Sequence, residues 1–164
     1  MFAADAHRNQ KRKGNDGSPY INHLIETAYL LTKIAKIEDD EIIQAAILHD
    51  IIEDTNVTLE ILDAEFGKRV ASLVKSITDD KSLSLEERRA NQIAHLASAC
   101  NDAKLIKLAD NCSNIISIPP NWSKERIESY RNWSHEVASL CFDVSENLAL
   151  EYQKRYKTVP ESVL

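Results

Sequence analysis

The feature that most constrains this chain is an apolar helical run that ends in ionisable side chains. Residues 45–52 are aliphatic except for His49 and Asp50, and Glu53 and Asp54 follow directly. Burying several unpaired carboxylates is costly, because each loses its hydration without compensation. A divalent cation would compensate them, and imidazole with carboxylate is a common ligand combination. The run therefore predicts a metal site whose other ligands lie elsewhere in the chain.

Length and composition predict a single-domain, all-α protein. The 164 residues suit one hydrophobic core, and only 3 Gly and 4 Pro favour long helices. No stretch shows the period-2 alternation of a strand, and none approaches the roughly 18 apolar residues that span a bilayer. We expect one domain over residues 1–164, in which residues 141–164 form a helical tail.

Charge and cysteine content narrow the location and the partners. The N-terminal residues are too polar for a secretory signal, so a cytoplasmic location is expected. Three isolated cysteines, Cys100, Cys112 and Cys141, indicate free, buried thiols in a reducing compartment. The net charge of -6 disfavours nonspecific nucleic-acid binding, and no membrane association is predicted. An anionic ligand would therefore need a local positive patch.

Hydrophobic periodicity predicts helices along the chain. Ser84 and Glu87 match a capping box, and Gly67 occupies a C-cap position. The tail is expected to pack either on the body of the protein or on a second subunit, through Leu148, Leu150, Tyr152 and Tyr156. A homo-oligomer is therefore an open possibility. The predicted helices cover residues 2–13, 20–37, 39–52, 58–66, 68–77, 84–100, 102–118 and 123–157, the last with a bend or break.

Two further residues complete a candidate ligand set. His23 lies one turn into an amphipathic helix, and Asp110 lies on an otherwise apolar helix. Singly, such a His is more often a satisfied core residue and such an Asp more often a surface acid. His49 and Asp50 are separated by about 100° of helix rotation, so both can face one cavity only at the rim of a buried helix. Together the four residues form the pattern His…His-Asp…Asp, which lacks thiolates and fits Mn²⁺ or a similar ion.

This pattern resembles the HD phosphohydrolase superfamily, an all-α fold in which two His and two Asp hold a metal. The surrounding segments are similar to the hydrolase domain of RelA/SpoT-type alarmone enzymes, namely residues 3–8, 17–23, 45–55, 66–67, 78–81 and 104–110. The similarity runs in order from about residue 2 to residue 140 and leaves no room for a synthetase domain. The chain thus resembles a stand-alone small alarmone hydrolase of the metazoan SpoT type.

The resemblance implies Mn²⁺-dependent hydrolysis of (p)ppGpp at its 3′-diphosphate, which gives GDP or GTP and pyrophosphate. Glu53 and Asp54 lie about one turn beyond His49 and Asp50, so they are expected over the same cavity if the helix continues. There they would orient or deprotonate the attacking water. A solvated helix end is the alternative reading of this pair.

A substrate with several phosphates needs cations. The resemblance favours contacts from Arg12 or Lys13, although charge runs such as residues 11–13 are usually solvated. It also implies contacts from Asn114, which shares a helix face with Asp110, and from Tyr130, for which a core aromatic is the alternative. The predicted substrate contacts are completed by two weaker candidates, Lys81 and Lys107.

The chain departs from the family at Asn111 and Ser113, where relatives often carry a basic residue and a Tyr. Two nucleotide contacts are thereby expected to change. The sequence therefore predicts the hydrolytic reaction more closely than it predicts the identity of the substrate. An adenosine alarmone or the 2′-phosphate of NADPH is an alternative substrate. The non-enzymatic alternatives are a nucleotide sensor with a degenerate site and a metal-stabilised structural protein. The complete ligand set and the acidic pair favour an enzyme.

Overall fold

The computed structural model describes residues 1–14 and 17–159 of the chain. Within these ranges the structure is helical, and the only extended pairing is an isolated bridge between Lys11 and Pro19. The all-α prediction is confirmed. The helices in chain order are α1 Phe2–Ala6, α2 Ile21–Tyr29, α3 Asp40–Leu48, α4 Ile51–Asp54, α5 Leu59–Phe66, α6 Lys68–Ile77, α7 Leu85–Ala97, α8 Asn101–Ile115, α9 Lys124–Ser139 and α10 Glu146–Thr158.

Polar side chains cap several of these helices where the sequence predicted a start. Asp39 accepts hydrogen bonds from two backbone amides at the start of α3, and Thr58 accepts one at the start of α5. Ser84 and Glu87 form the predicted capping box at the start of α7. Gly67 ends α5 with a φ of 86°, a left-handed region that a residue with a Cβ rarely adopts.

The predicted helix over residues 2–13 is wrong beyond Ala6. The chain instead folds back on itself, so that Arg12 N donates to Ser18 O at 2.9 Å and Tyr20 N donates to Gln10 O at 3.0 Å. These bonds satisfy backbone groups that a continuous helix would have paired internally. The basic run 11–13 therefore lies in a loop next to the start of α2.

Other predicted helices also differ from the structure. The helix over residues 20–37 widens into a π-helical turn at Leu30–Ile34, and Lys36 ends it with a φ of 60°. The helix over residues 102–118 ends earlier, at Ile115, before Pro119 and Pro120. The region 123–157 breaks at residues 140–145 between α9 and α10, as the prediction allowed.

Helix α8 lies at the centre of the fold. It packs against α2, α3, α6, α9 and α10, and most of its side chains are buried. The C-terminal helix α10 packs on the body rather than standing free, because Leu148 and Tyr152 are fully buried while Leu150 is exposed. No helix in residues 1–14 and 17–159 has the length and apolar character needed to cross a bilayer.

The three cysteines are free thiols, as predicted. Cys112 and Cys141 are buried, whereas Cys100 is exposed just before α8. The prediction that all three are buried is therefore wrong for Cys100, which lies in the short connection between α7 and α8 where the core does not cover it.

Candidate active site

Four side chains from three parts of the fold converge on one point. His23 comes from α2, His49 and Asp50 from the turn between α3 and α4, and Asp110 from α8. The Nε2 atoms of the two histidines are 3.2 Å apart. Asp110 Oδ1 lies 3.2 Å from His23 Nε2 and 3.5 Å from His49 Nε2. Asp50 Oδ2 lies 3.0 Å from His49 Nε2 and 3.5 Å from His23 Nε2. The predicted ligand residues are thus close together.

A helix break explains how two neighbouring residues face the same centre. Helix α3 ends at Leu48, and Asp50 adopts φ -96° and ψ 0° before α4 begins at Ile51. The predicted continuous helix over residues 39–52 is wrong at this point. In an unbroken helix the two side chains would point about 100° apart. The turn therefore brings His49 and Asp50 to one side.

The hydrogen bonds of the two imidazoles fix which nitrogen faces the centre. His49 Nδ1 lies 2.8 Å from Ala46 O, which can only accept, so Nδ1 carries the hydrogen. Ser113 Oγ donates to Glu26 Oε2 at 2.7 Å, and its oxygen accepts from His23 Nδ1 at 2.8 Å. Both Nε2 atoms therefore face the two aspartates.

Neighbouring side chains also donate hydrogen bonds to the carboxylates of the two aspartates. Tyr20 Oη donates to Asp50 Oδ2 at 2.5 Å. Lys107 Nζ donates to Asp110 Oδ2 at 3.0 Å, and Asn114 Nδ2 donates to Asp110 Oδ1 at 2.5 Å. Lys107 is mostly buried beside Asp110 and does not line the cavity that contains Glu53 and Asp54. This placement differs from its predicted role as a substrate contact.

The electrostatics of the cluster favour a positive charge at its centre. Burial lowers the pKa of His49, but Asp50 and Asp110 outweigh burial and hold this pKa well above its usual value. Burial raises the pKa of Asp110, but Lys107 and the two imidazoles outweigh it and hold this pKa well below its usual value. Asp110 therefore stays ionised, and the centre attracts a proton or a cation.

The donor set fits a divalent cation. His23, His49 and Asp110 form a buried group whose candidate ligand atoms lie within 4.8 Å of one another, and an oxygen of Asp50 adds a fourth ligand atom. Two ligands about 2.1 Å from an ion and at right angles to each other lie about 3 Å apart. The separations of 3.0 to 3.5 Å between these atoms match that spacing.

The acidic pair lies at the end of α4, close to this cluster. Asp54 is held through both oxygens, since Gln10 Nε2 donates to Oδ2 at 2.5 Å and Lys81 Nζ bonds to Oδ1. Glu53 is held more loosely, with Asp79 N 3.4 Å and Lys81 Nζ 3.8 Å from its carboxylate oxygens. The carboxylate of Glu53 is therefore less constrained than that of Asp54, and Glu53 is the better placed to exchange a proton.

The surroundings of Glu53 make it a base near neutral pH. Burial, reinforced by the charges of Asp50 and Asp79, raises the pKa of Glu53 to about 7, while Lys107 and Lys81 oppose the shift. A general base works best when its pKa lies near the working pH. Glu53 thus has the protonation behaviour that the predicted catalytic role requires.

A cavity of about 310 Å³ opens beside the acidic pair. Five of the six predicted substrate contacts line it, namely Arg12, Lys13, Lys81, Asn114 and Tyr130. Glu53 and Asp54 also line it, so the acids face the cationic wall. The positive patch that the net charge of -6 required is therefore local to this cavity.

Several lining residues were not predicted from the sequence. Arg88 reaches the cavity from α7, and its Nε has no hydrogen-bond partner among the described residues. Trp122 packs edge-on against Tyr130 with ring centroids 5.5 Å apart, and Arg126 lies 4.0 Å above the Trp122 ring. The available signal was an aromatic residue two positions after Pro120, downstream of the helix that carries Asp110. The unpredicted lining residues also include Gln10, Lys11, Tyr20, Ser117, Ile118 and Pro119.

Tyr130 combines both of its proposed readings. It lines the cavity, and its ring also packs against Trp133 at 5.6 Å between centroids.

Arg12 is joined to the ligand helix, because its Nη1 donates to Asn114 Oδ1 at 2.9 Å and its Nη2 donates to Ser113 O at 3.3 Å. The guanidinium of Arg12 is thus directed along the cavity wall.

The two positions at which the chain departs from the family do not line this cavity. Asn111 is buried, and its Nδ2 has no partner among the described residues. Ser113 is fully buried, and its hydroxyl contacts His23 rather than the cavity. The departure at Ser113 therefore lies beside the ligand cluster, whereas the sequence predicted altered nucleotide contacts at both positions.

Comparisons with known proteins agree on one family. The sequence profile of the HD domain matches residues 1–149. A Danio rerio protein named guanosine-3′,5′-bis(diphosphate) 3′-pyrophosphohydrolase MESH1 is 45% identical over 140 residues, which cover 83% of this chain and 78% of the relative. The Drosophila melanogaster protein of the same name is 38% identical over 161 residues, which cover 96% of this chain and 90% of the relative.

Solved structures give the same result. One of them, described as "A metazoan ortholog of SpoT hydrolyzes ppGpp and plays a role in starvation responses", has a TM-score of 0.91 at 36% identity and covers 98% of this chain and 92% of the other. A Listeria monocytogenes protein, lmo0812, has a TM-score of 0.70 at 27% identity and covers 86% of this chain and 95% of the other. The chain belongs to the HD-domain family, in the RelA/SpoT-type group that contains the metazoan SpoT homologues.

Proposed function

We propose that this protein is a (p)ppGpp 3′-pyrophosphohydrolase that depends on Mn²⁺. The observation that carries the proposal is the convergence of two histidines and two aspartates beside a cationic cavity, with Glu53 in the cavity wall. The relatives that share this fold over most of their length are named for the same reaction. A sensor or a purely structural protein would have no use for a carboxylate whose pKa is raised to about 7.

The proposed metal ligands are His23, His49, Asp50 and Asp110. A divalent cation bound there would polarise a phosphoryl oxygen and lower the pKa of a water molecule. Mn²⁺ is the proposed ion because the donors are imidazole nitrogens and carboxylate oxygens with no thiolate among them. Lys107, Tyr20 and Asn114 hold the aspartates in place through the hydrogen bonds given above.

Glu53 and Asp54 are the proposed catalytic pair. A Glu53 carboxylate oxygen takes the proton from the attacking water as the water oxygen bonds to the phosphorus next to the ribose 3′-oxygen. The bond between that phosphorus and the 3′-oxygen breaks, and the 3′-oxygen takes up the proton that Glu53 accepted, directly or through solvent water, so the products are a nucleotide with a free 3′-hydroxyl and pyrophosphate. Asp54 orients the water, because hydrogen bonds from Gln10 and Lys81 fix the position of its carboxylate.

The cations of the wall are proposed to bind the phosphates and the base. Arg12 and Lys13 lie in the loop before α2, and Lys81 lies beyond α6, so phosphates can be contacted from two sides. A planar guanidinium such as that of Arg12 can also stack on a purine, which a lysine does less well. Asn114 and Tyr130 complete the proposed contacts.

A cytoplasmic location stays a prediction that the three free thiols support. Assembly as a homo-oligomer also stays a prediction.

The test is product analysis with a panel of nucleotides. Purified protein is incubated with Mn²⁺ and, separately, ppGpp, pppGpp, an adenosine alarmone and NADPH. The proposal predicts pyrophosphate in equal amounts to GDP from ppGpp and to GTP from pppGpp, with no orthophosphate. Glu53→Gln is the negative control, because it keeps the shape of the side chain but removes the base. Orthophosphate from NADPH alone, or no turnover of ppGpp, would overturn the proposal.

A further inference from the structure

We propose that Ser113, Glu26 and Arg155 form a positioning relay that holds the imidazole of His23 in its metal-binding orientation. The relay extends from α8 through α2 to α10, so the C-terminal helix takes part in shaping the centre. The inference rests on the proposed metal site, but it does not require that ppGpp be the substrate. None of the three residues lines the cavity of about 310 Å³, so their role is separate from substrate contact.

The first link of the relay fixes which nitrogen of His23 faces the cluster. A serine hydroxyl has one hydrogen, and the carboxylate of Glu26 can only accept a hydrogen bond. The hydrogen of Ser113 is therefore directed to Glu26 Oε2 at 2.7 Å, and the serine oxygen accepts from His23 Nδ1 at 2.8 Å. His23 and Ser113 are both buried. With Nδ1 held in this way, the Nε2 atom of His23 faces the cluster.

The second link holds the carboxylate that orients the serine. Arg155 Nη1 donates to Glu26 Oε1 at 2.6 Å and to Cys112 O at 3.0 Å, and Arg155 Nε donates to Glu151 Oε1 at 2.7 Å. The side chain of Arg155 is only 16% exposed. The guanidinium is thus fixed at three points, and it holds Glu26 while binding the backbone of α8 one residue before Ser113.

The arrangement matches a general feature of metal sites. An imidazole that binds a metal usually donates its other N–H to an oxygen that sets the ring orientation and raises the basicity of the ligand. For His49 this partner is the carbonyl oxygen of Ala46, a short contact within one turn. For His23 the partner is a hydroxyl from α8, backed by a carboxylate from α2 itself and a guanidinium from α10. His23 is therefore the ligand that depends on distant parts of the fold.

The relay is tested by metal binding in the absence of nucleotide. Mn²⁺ affinity is measured by calorimetry on metal-stripped wild type and on Ser113→Ala. Loss of the partner of a ligand imidazole typically weakens metal affinity by about 10- to 100-fold. The matched control is Ser134→Ala, which removes an equally buried hydroxyl whose bond goes to Tyr152 Oη at 3.0 Å. The control is expected to bind Mn²⁺ as tightly as the wild type.

Two further measurements separate positioning from general stability. The melting temperatures of Ser113→Ala and Ser134→Ala without metal are expected to be similar, whereas the rise in melting temperature on adding Mn²⁺ is expected to shrink only in Ser113→Ala. The d–d spectrum of the Co²⁺-loaded protein is expected to change only in the same variant. Ser113→Thr, which keeps the hydroxyl, is expected to restore most of the affinity.

Glu26→Gln keeps the proposal testable if Ser113→Ala does not fold. Glu26 borders a second cavity of about 380 Å³, so its side chain can change without forcing the core to repack. Its Mn²⁺ affinity is expected to fall by a smaller factor than that of Ser113→Ala. The matched control is Glu41→Gln, whose carboxylate pairs with Arg69 at 2.7 Å away from the centre.

The possible outcomes distinguish this inference from the proposed function. Wild-type Mn²⁺ affinity in Ser113→Ala and in Glu26→Gln would overturn the relay, even if ppGpp is hydrolysed. A wild-type protein that binds no divalent ion would overturn the relay together with the metal assignment. Weakened binding in both variants supports the relay, even if the substrate is another nucleotide.

Discussion

The ligand cluster and the cavity wall differ in how completely their polar groups are partnered. Around the cluster, the protein itself supplies a partner for each ligand, as Tyr20 does for Asp50 and Lys107 for Asp110. In the wall, the Nε of Arg88 has no partner among the described residues, and Lys81 is 48% exposed. The cluster is therefore preorganised by the fold, whereas the wall is completed by what binds to it.

This difference explains how chemistry and specificity are divided in the molecule. Preorganised donors stabilise a transition state because no reorganisation is needed when the reaction occurs. Side chains that are free to adjust can accept different phosphates and bases. Changes near the cluster are therefore expected to affect turnover, and changes in the wall are expected to affect the apparent affinity for the substrate.

The largest of these effects is expected from Glu53→Gln. The change removes the base while the cluster stays intact, so kcat is expected to fall by about 10²-fold or more with Mn²⁺ affinity retained. In the wild type, kcat/KM is expected to rise with pH through about 7, because Glu53 must lose its proton to act as the base. Steady-state kinetics of pyrophosphate release from pH 5 to 9 measure both. Glu65→Gln, an exposed acid on α5, is the control.

Full activity in Glu53→Gln would show that Glu53 is not the base. Asp54→Asn separates the roles of the two acids. Gln10 and Lys81 hold the carboxylate of Asp54, so Asp54 is expected to orient the water and not to take its proton. That variant is expected to lose turnover without losing the rise in kcat/KM near pH 7.

A smaller effect, mainly on KM, is expected from Arg12→Ala. The loss of hydrogen bonds from a charged donor to phosphate costs about 1.5 to 3 kcal/mol, or roughly a tenfold to hundredfold increase in KM. Arg12→Lys is expected to recover only part of this, since an ammonium cannot reproduce the fork of the guanidinium. Arg8→Ala is the matched control, because Arg8 is exposed and pairs with Asp5 at 3.1 Å. A loss of kcat at unchanged KM would contradict the division between wall and cluster.

The raised pKa of Glu53 should also make the stability of the folded protein depend on pH. Its raised pKa of about 7 means that the folded state binds this proton more tightly than the unfolded state does. The associated stabilisation is present below about pH 4.5 and is lost as the pH rises through 7. Because the side chain is 19% exposed, Glu53→Gln is expected to be more stable than the metal-stripped wild type by about 1 to 3 kcal/mol above pH 7.

Urea unfolding of both metal-stripped proteins at pH 4.5 and pH 8 measures this difference. The groups that face Glu53 are Asp50 and Asp79, which raise its pKa, and Lys107 and Lys81, which lower it. Equal stability of the two proteins at both pH values would show that Glu53 titrates like a solvated acid.

The smallest effect concerns the thiols. Burial raises the pKa of Cys141 to about 12 and raises that of Cys112 even further, so neither forms the reactive thiolate near pH 8. Cys100 is exposed. A thiol reagent is expected to modify one cysteine per folded chain, and Cys100→Ser is expected to abolish that fast reaction. Rapid labelling of a second thiol would show that the core around α8 opens more readily than this structure implies.

The sequence allowed the cluster to be predicted much better than the wall. His23, His49, Asp50 and Asp110 stand out because polar residues on apolar helix faces need partners, and the family pattern gave their grouping. The all-α fold and the helix starts at Thr58 and Ser84 followed from periodicity and capping.

The parts that could not be predicted depend on long-range contacts. The break at His49 and Asp50 has no Gly or Pro to mark it, and it arises because both side chains are drawn to one centre. The loop at residues 11–13 depends on pairing with Ser18 and Tyr20, not on local propensity. Arg88 and Trp122 reach the cavity only because α7 and α9 pack nearby, and the role of Ser113 requires Glu26 and Arg155 from two other helices.

The central claim is that one divalent ion joins the four ligands and supports turnover. The most direct test is the number of Mn²⁺ ions bound per chain, measured by electron paramagnetic resonance on wild type, Asp50→Ala and Asp110→Ala, beside their rates of pyrophosphate release. The account predicts one tightly bound ion and turnover in the wild type, and neither in the folded variants. Wild-type Mn²⁺ binding with full turnover in Asp110→Ala would contradict it.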